Sequence, residues 1–127
     1  ESGSNTILKR SGKGITTTQS RRAVEIAHSL GIRIAGHFMF GLPGETRQTL
    51  KQTTNFALSL PLDIAQFYAA APFPGTPFYD EAVQKKWLDS SCCSSQSSSN
   101  LQLPGLTPEA VNKAKQKAYF RFYARPR

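Results

Sequence analysis

Cysteine is nearly missing from this sequence: Cys92 and Cys93 are the only two, side by side in a serine tract. Neighbouring thiols make no disulfide framework, and without a third the chain cannot ligate an iron–sulfur cluster or a thiolate-rich zinc site by itself. That usage fits a reducing, cytoplasmic setting. Acidic residues are scarce too, 8 Asp and Glu against 16 Lys and Arg, for a net charge of +8. Long apolar runs are absent, and no stretch of about eighteen such residues reads as a membrane span. Neither an initiator Met nor a secretory leader stands at Glu1, so the chain is expected to be cut from a longer polypeptide. No Ser–His–Asp set, paired-carboxylate site or metal cage can be assembled from its residues.

What is present suits one modest globular domain: 127 residues, 39% hydrophobic and 19% charged. The cations are scattered in small groups, at Lys9-Arg10-Lys13, Arg21-Arg22, Lys113-Lys115-Lys117 and Arg121-Arg125-Arg127. Scatter of this kind reads as a solvated basic surface before it reads as a nucleic-acid face.

The most informative stretch is His37-Phe-Met-Phe-Gly-Leu-Pro-Gly-Glu-Thr46, an apolar run that stops in a glycine turn and opens into a helical pattern. A strand, a tight turn and a helix in succession place the turn at the carboxyl end of a parallel strand, where α/β folds bind ligands. The turn is a poor phosphate loop: where a P-loop has Lys and Ser or Thr, this one has Glu45-Thr46, and a carboxylate repels phosphate. Glu45 also suits the first turn of a helix through the dipole.

Around that turn the elements alternate. Glu1-Ser2-Gly3-Ser4 reads as the end of a strand, and Thr16 with Gln19 as a capping box. Ala23, Ile26, Ala27 and Leu30 share one face of the helix that follows, and Gly31 ends it. Residues 32–40 form a strand with Ile32, Ile34, Phe38 and Phe40 on one side and Arg33, Ala35, His37 and Met39 on the other. A helix over 46–60 buries Leu50, Thr53, Ala57 and Leu60, and Pro61 stops it. Residues 64–71 form a second strand, with Gln66 and Tyr68 opposite Ala65, Phe67 and Ala69. Thr76-Pro77 starts a helix expected to bury Tyr79, Ala82, Val83 and Trp87, and Thr107-Pro108 starts another with a Val111, Ala114, Ala118 and Phe122 stripe. Between them lies a serine-rich stretch with little to bury. The series predicts a parallel sheet with right-handed crossovers.

Six blocks in order, Glu-Ser-Gly-Ser at 1–4, Lys13-Gly-Ile-Thr16, Gly31-Ile32, Phe38-Met-Phe-Gly-Leu-Pro-Gly-Glu-Thr46, Pro72-Phe-Pro-Gly-Thr-Pro77 and Arg121-Phe-Tyr-Ala-Arg-Pro-Arg127, resemble the radical S-adenosylmethionine superfamily. The branch they are most similar to often carries a cobalamin-binding domain upstream. The resemblance implies an α/β fold, the C-terminal part of a partial (β/α)6 TIM-like barrel with parallel strands. Residues 1–88 would be the half barrel, 89–106 a Ser-rich linker and 107–127 a C-terminal helix. It further implies a 4Fe-4S cluster on a CxxxCxxC loop in the full-length parent, S-adenosylmethionine cleaved reductively to a 5′-deoxyadenosyl radical, and methyl transfer or oxidative cyclisation with cobalamin.

By position, Glu1 and Ser2 resemble the ribose-binding residues. Phe40, Gly41 and Leu42 resemble the strand end along the adenine, with Ala71 and Pro72 near the same base. His37, Gln66 and Tyr68 would face a small-molecule substrate in the barrel interior. The expected partners are the rest of the barrel and the cobalamin domain, not nucleic acid. The sequence departs from the family in two ways. The CxxxCxxC loop is absent, and GxIxGxxE is out of register, with Glu45 one residue late if Gly41 is its central glycine. Two other readings stay open: a non-catalytic basic module binding RNA or another polyanion, motivated by the charge and by Tyr119-Phe-Arg-Phe-Tyr123, and a barrel enzyme of phosphorylated sugars, which the lack of Lys or Arg at the turn disfavours.

Overall fold

A computed structural model describes residues 1–88 and 96–126. Cys92, Cys93 and most of the serine tract lie outside the described residues. Strand β1 (Ala35–Phe40) and strand β2 (Ile64–Ala69) pair in parallel with His37 opposite Gln66 and Phe38 opposite Phe67. Helix α3 (Arg47–Ser59) is the crossover that a parallel pair requires. Helices α1 (Asn5–Arg10) and α2 (Thr17–Ser29) precede β1, and α4 (Pro77–Gln84) and α5 (Pro108–Tyr123) follow β2. The described residues form a mixed α/β unit around a two-stranded parallel sheet, and they do not close a barrel.

Period-two alternation sorts the strands as expected. Phe38, Phe40, Ala65, Phe67 and Ala69 are buried, against Leu50 and Ala57 of α3 and Val111, Ala118 and Phe122 of α5. His37, Gln66 and Tyr68 are left on the opposite, open face. The helix punctuation also forms as read. Thr16 and Gln19 make the capping box, and Gly31 (φ +72°) ends α2 with its amide on His28 and that of Ile32 on Ala27.

The structure corrects several details. Residues 5–10, read as an apolar pair in a basic segment, are the short helix α1, and Ile7 and Leu8 are buried. β1 begins at Ala35, because Ile34 turns toward Asp63, whose carboxylate accepts from the Ile34 amide at 2.7 Å. α2 buries no residue fully: Ile26 and Leu30 are 52% and 71% exposed, since none of the described elements covers that face. Val83 is exposed as well, and Trp87 reaches the core only because Lys86 adopts φ +55° and turns the chain inward. Residues 96–106 run along the core, with Leu101, Leu103 and Leu106 buried.

The outer edge of β2 is occupied by two tyrosine side chains and one backbone carbonyl. The amides of Ala65 and Phe67 donate to the Tyr123 and Tyr119 hydroxyls at 3.4 and 3.3 Å, and that of Ala69 to the Gln96 carbonyl at 2.9 Å. Arg125, expected in solvent, instead donates to the Leu60 and Leu62 carbonyls and stacks 3.8 Å from the Phe122 ring centroid. At the outer edge of β1 the Met39 amide donates to the Glu1 carbonyl at 2.8 Å, so the first residue continues the sheet on that side.

Candidate functional site

β1 ends in a turn whose shape follows from its residue types. The Glu45 amide donates to the Leu42 carbonyl at 3.1 Å across Pro43 and Gly44. Gly44 has φ +85°, the position of a type II turn that glycine fills and proline precedes. Gly41 is also left-handed, at φ +87°, where a side chain would be strained whatever the space around it.

Glu45 then folds back over the turn. Its Oε2 accepts from the amides of Gly41 at 2.5 Å and Leu42 at 3.1 Å. The residue is 2% exposed, and Oε1 is buried with no hydrogen-bond partner. Burial raises the carboxyl from its ordinary 4.5 to about 7, against the opposing pull of the two amides. From the sequence Glu45 reads as a carboxylate that repels phosphate and suits the helix dipole, and this contact with the turn amides is not seen there. The signal was its spacing, four and three residues after the two amides.

Arg10 was likewise missed, being one cation in a basic run. It lies so close to the turn that a Cβ on Gly44 would sit 2.8 Å from its guanidinium. It also pairs with Glu81 of α4 at 3.1 Å, and Lys85 joins the same carboxylate at 2.7 Å. Those two cations hold the Glu81 carboxyl below its ordinary range, the Lys85 hydrogen bond first.

A cavity of about 360 Å³ opens beside the turn. Leu42, Pro43, Pro77 and Phe78 give it apolar walls, and Glu1 and Arg10 a charged rim. Of the residues expected at the cofactor, Glu1 and Leu42 meet there. Glu1 pairs with Lys13 at 2.7 Å. Ser2 points elsewhere: it is buried, its Oγ accepts from the Ser4 amide at 3.1 Å and lies 3.3 Å from the Thr53 hydroxyl. The Phe40 side chain is wholly in the core, and Ala71 and Pro72 are buried away from the cavity lining. The substrate-side candidates do converge. His37 and Tyr68 stack with ring centroids 5.8 Å apart and planes 2° from parallel, and the Tyr68 hydroxyl donates to Gln66 Oε1.

These residues can be tested against the groups the resemblance implies. A cluster does not fit: the chain has two cysteines, and the described residues hold no group of three His, Cys, Asp or Glu placed to bind a metal. A nucleoside-like ligand fits in part, with the Glu1 carboxylate for hydroxyls and the Leu42–Pro43 and Phe78 walls for a flat group. The Ser2 hydroxyl is already engaged inside the fold. Among the described residues no helix is long and apolar enough to cross a membrane.

No protein-family model matches the chain. The chain is 38% identical, over its whole length, to an uncharacterised methyltransferase of Pyrococcus horikoshii, of which it covers 28%. Over 59% of its length it is 33% identical to the bacteriochlorophyllide d C-12(1)-methyltransferase of Chlorobaculum tepidum, covering 17% of that enzyme. Over 76% it is 27% identical to the tRNA-2-methylthio-N(6)-dimethylallyladenosine synthase of Baumannia cicadellinicola, covering 24%. The chain thus spans between 17% and 28% of these three relatives, whose names are those of two methyltransferases and a methylthio-adenosine synthase.

Proposed function

We propose that this chain is the C-terminal part of a radical S-adenosylmethionine barrel in an enzyme that transfers a methyl or methylthio group. The observation that carries the reading is an alignment over the whole chain, at 38% identity, with an uncharacterised methyltransferase. The parallel β1–α3–β2 unit, with polar His37, Gln66 and Tyr68 on its open face, is what such a barrel segment would contribute. In this reading Glu1 meets ribose hydroxyls and the backbone at Gly41 and Leu42 borders a neutral base. Bound S-adenosylmethionine would supply the methyl group or the radical. In this reading the cluster and any cobalamin belong to other parts of a cytoplasmic parent protein, and it is supported by the described residues holding no group of three His, Cys, Asp or Glu placed to bind a metal.

Within the chain, α1 and α4 are held together over the cavity by Arg10 and Glu81, which narrows access to the strand ends. His37 and Tyr68 present a flat, stacked surface to a small-molecule substrate, steadied by Gln66. The reading frame immediately upstream of Glu1 tests the proposal. A CxxxCxxC motif within about half a barrel's length is expected, together with reductive cleavage of S-adenosylmethionine by the reconstituted parent. A parent without that motif overturns it.

A second reading, docking of RNA on α5, is favoured by Phe120, which is 75% exposed beside Lys117 and Arg121. Tyr119 and Tyr123 are engaged at the β2 edge, which leaves Phe120 as the ring best placed to stack a base. RNA affinity falling steeply with salt, and lost in Phe120→Ala, would support it. Weak binding that is flat across ionic strength would remove it.

A further inference from the structure

We propose that Glu45 is a resident anion, a specificity-determining side chain that fills the oxyanion position of the strand-end turn and reserves this end of the sheet for a neutral ligand. Consecutive amides converging at a glycine turn ahead of a helix are what phosphate and carboxylate ligands ordinarily bind. Here the Gly41 and Leu42 amides converge on one oxygen, and that oxygen belongs to the chain itself, at 2.5 and 3.1 Å. The guanidinium of Arg10 lies against Gly44, so the surroundings remain attractive to negative charge. Lys85, the C-cap of α4, lines a second cavity of about 520 Å³ behind the turn, together with Arg10 and Trp87.

Glu45 is therefore more than a fold residue that tolerates burial. Its other oxygen is buried without a partner, an arrangement that costs stability and that a core chosen only for packing would avoid. The raised carboxyl pKa agrees with that cost. What the carboxylate supplies in return is occupancy. A phosphate or carboxylate approaching the two amides finds them taken and meets like charge, whereas a flat uncharged group can lie along the Leu42 backbone. The inference deepens the proposed reading of this strand end. Its tests use simple anions on the 127-residue chain, so it can fail while the methyl-transfer reading stands, and the reverse.

In Glu45→Ala the position is vacated. Added formate, and separately inorganic phosphate, should shift the Gly41 and Leu42 amide resonances saturably and raise the melting temperature. The wild type and Glu45→Gln, whose side-chain oxygen still fills the position, should show neither effect. A folded Glu45→Ala that responds to neither anion overturns the proposal, as does saturable phosphate binding at these amides with Glu45 in place. If Glu45→Ala does not fold, the wild type and Glu45→Gln decide it. The two amide resonances should follow carboxyl titration in the wild type and stay flat in Glu45→Gln. Equal pH profiles in both would refute a carboxylate resident on those amides.

Discussion

The buried carboxyl of Glu45 should make this chain less stable as the pH rises through neutrality, and Glu45→Gln should remove that loss. Its folded value of about 7 lies above the ordinary 4.5, so the folded state holds the proton more tightly than the unfolded chain does. The stability this provides is fully present below about pH 4.5 and is lost as the pH rises through about 7. At about 1.4 kcal/mol per pH unit, the interval between the two values corresponds to about 3 kcal/mol. Gln keeps an oxygen for the Gly41 and Leu42 amides and carries no titrating proton. The two proteins should therefore have similar stability near pH 4, diverge between about pH 4.5 and 7, and keep a constant gap above that, Gln being the more stable. Urea unfolding at several pH values measures this. With a slope of about 1–3 kcal/mol/M, the gap between midpoints should widen by roughly 1 M or more between pH 4 and 8. The other ionisable groups are common to both proteins and cancel in the difference. A midpoint gap that is constant with pH would refute the reasoning.

Three other substitutions have outcomes set by local geometry. Lys86 ends α4 at φ +55° with its amide on Val83 and that of Trp87 on Ala82, so Lys86→Gly should stabilise the chain by about 0.5–1 kcal/mol, read as a higher urea midpoint. A Cβ on Gly3 would lie 2.6 Å from the Gln52 carbonyl oxygen and 2.7 Å from the Thr53 Cα, so Gly3→Ala should cost about 1–3 kcal/mol. It should also speed hydrogen exchange at Met39, whose amide is held by Glu1; unchanged protection there would count against it. Tyr123→Phe removes the hydroxyl that both accepts from and donates to Ala65, at about 1 kcal/mol. Exchange at Ala65 should rise while Leu50 stays protected, and the double change with Tyr119→Phe should increase aggregation through the exposed edge.

Alternation and capping were legible in the sequence because they are local. The Phe38 and Phe40 side of β1, the Thr16–Gln19 box and the Pro77 and Pro108 helix starts each depend on residues a few positions apart. What escaped depends on distant partners. Ser2 looks like a hydroxyl free for a ligand until Thr53, fifty-one residues on, engages it. Arg125 looks solvated until it reaches the carbonyls of Leu60 and Leu62. The α2 stripe of Ile26 and Leu30 was read correctly as apolar, but periodicity states that a face wants cover and not whether cover is near. At the site, the turn and its glycines were visible. The carboxylate closing it was not, because Glu45 at the start of a helix has a sufficient local explanation in the dipole.

The two edges of the small sheet are unequal, and this gives its growth a direction. Along β2 the Ala65 and Phe67 amides meet tyrosine hydroxyls, of Tyr123 and Tyr119, and the Ala69 amide alone meets a backbone carbonyl, that of Gln96 at the strand's end. A hydroxyl is a one-point plug, with no row of alternating groups on which a second strand could find register. Along β1 the Met39 amide meets a backbone carbonyl, that of Glu1, which is the first rung of a ladder. Chains emerge from synthesis amino terminus first, so a neighbour for the β1 side would already exist when β1 forms, while α5 arrives later to stop the other side. Built this way, the unit keeps its β1 side open to pairing and seals most of its β2 side with tyrosines that are made after it.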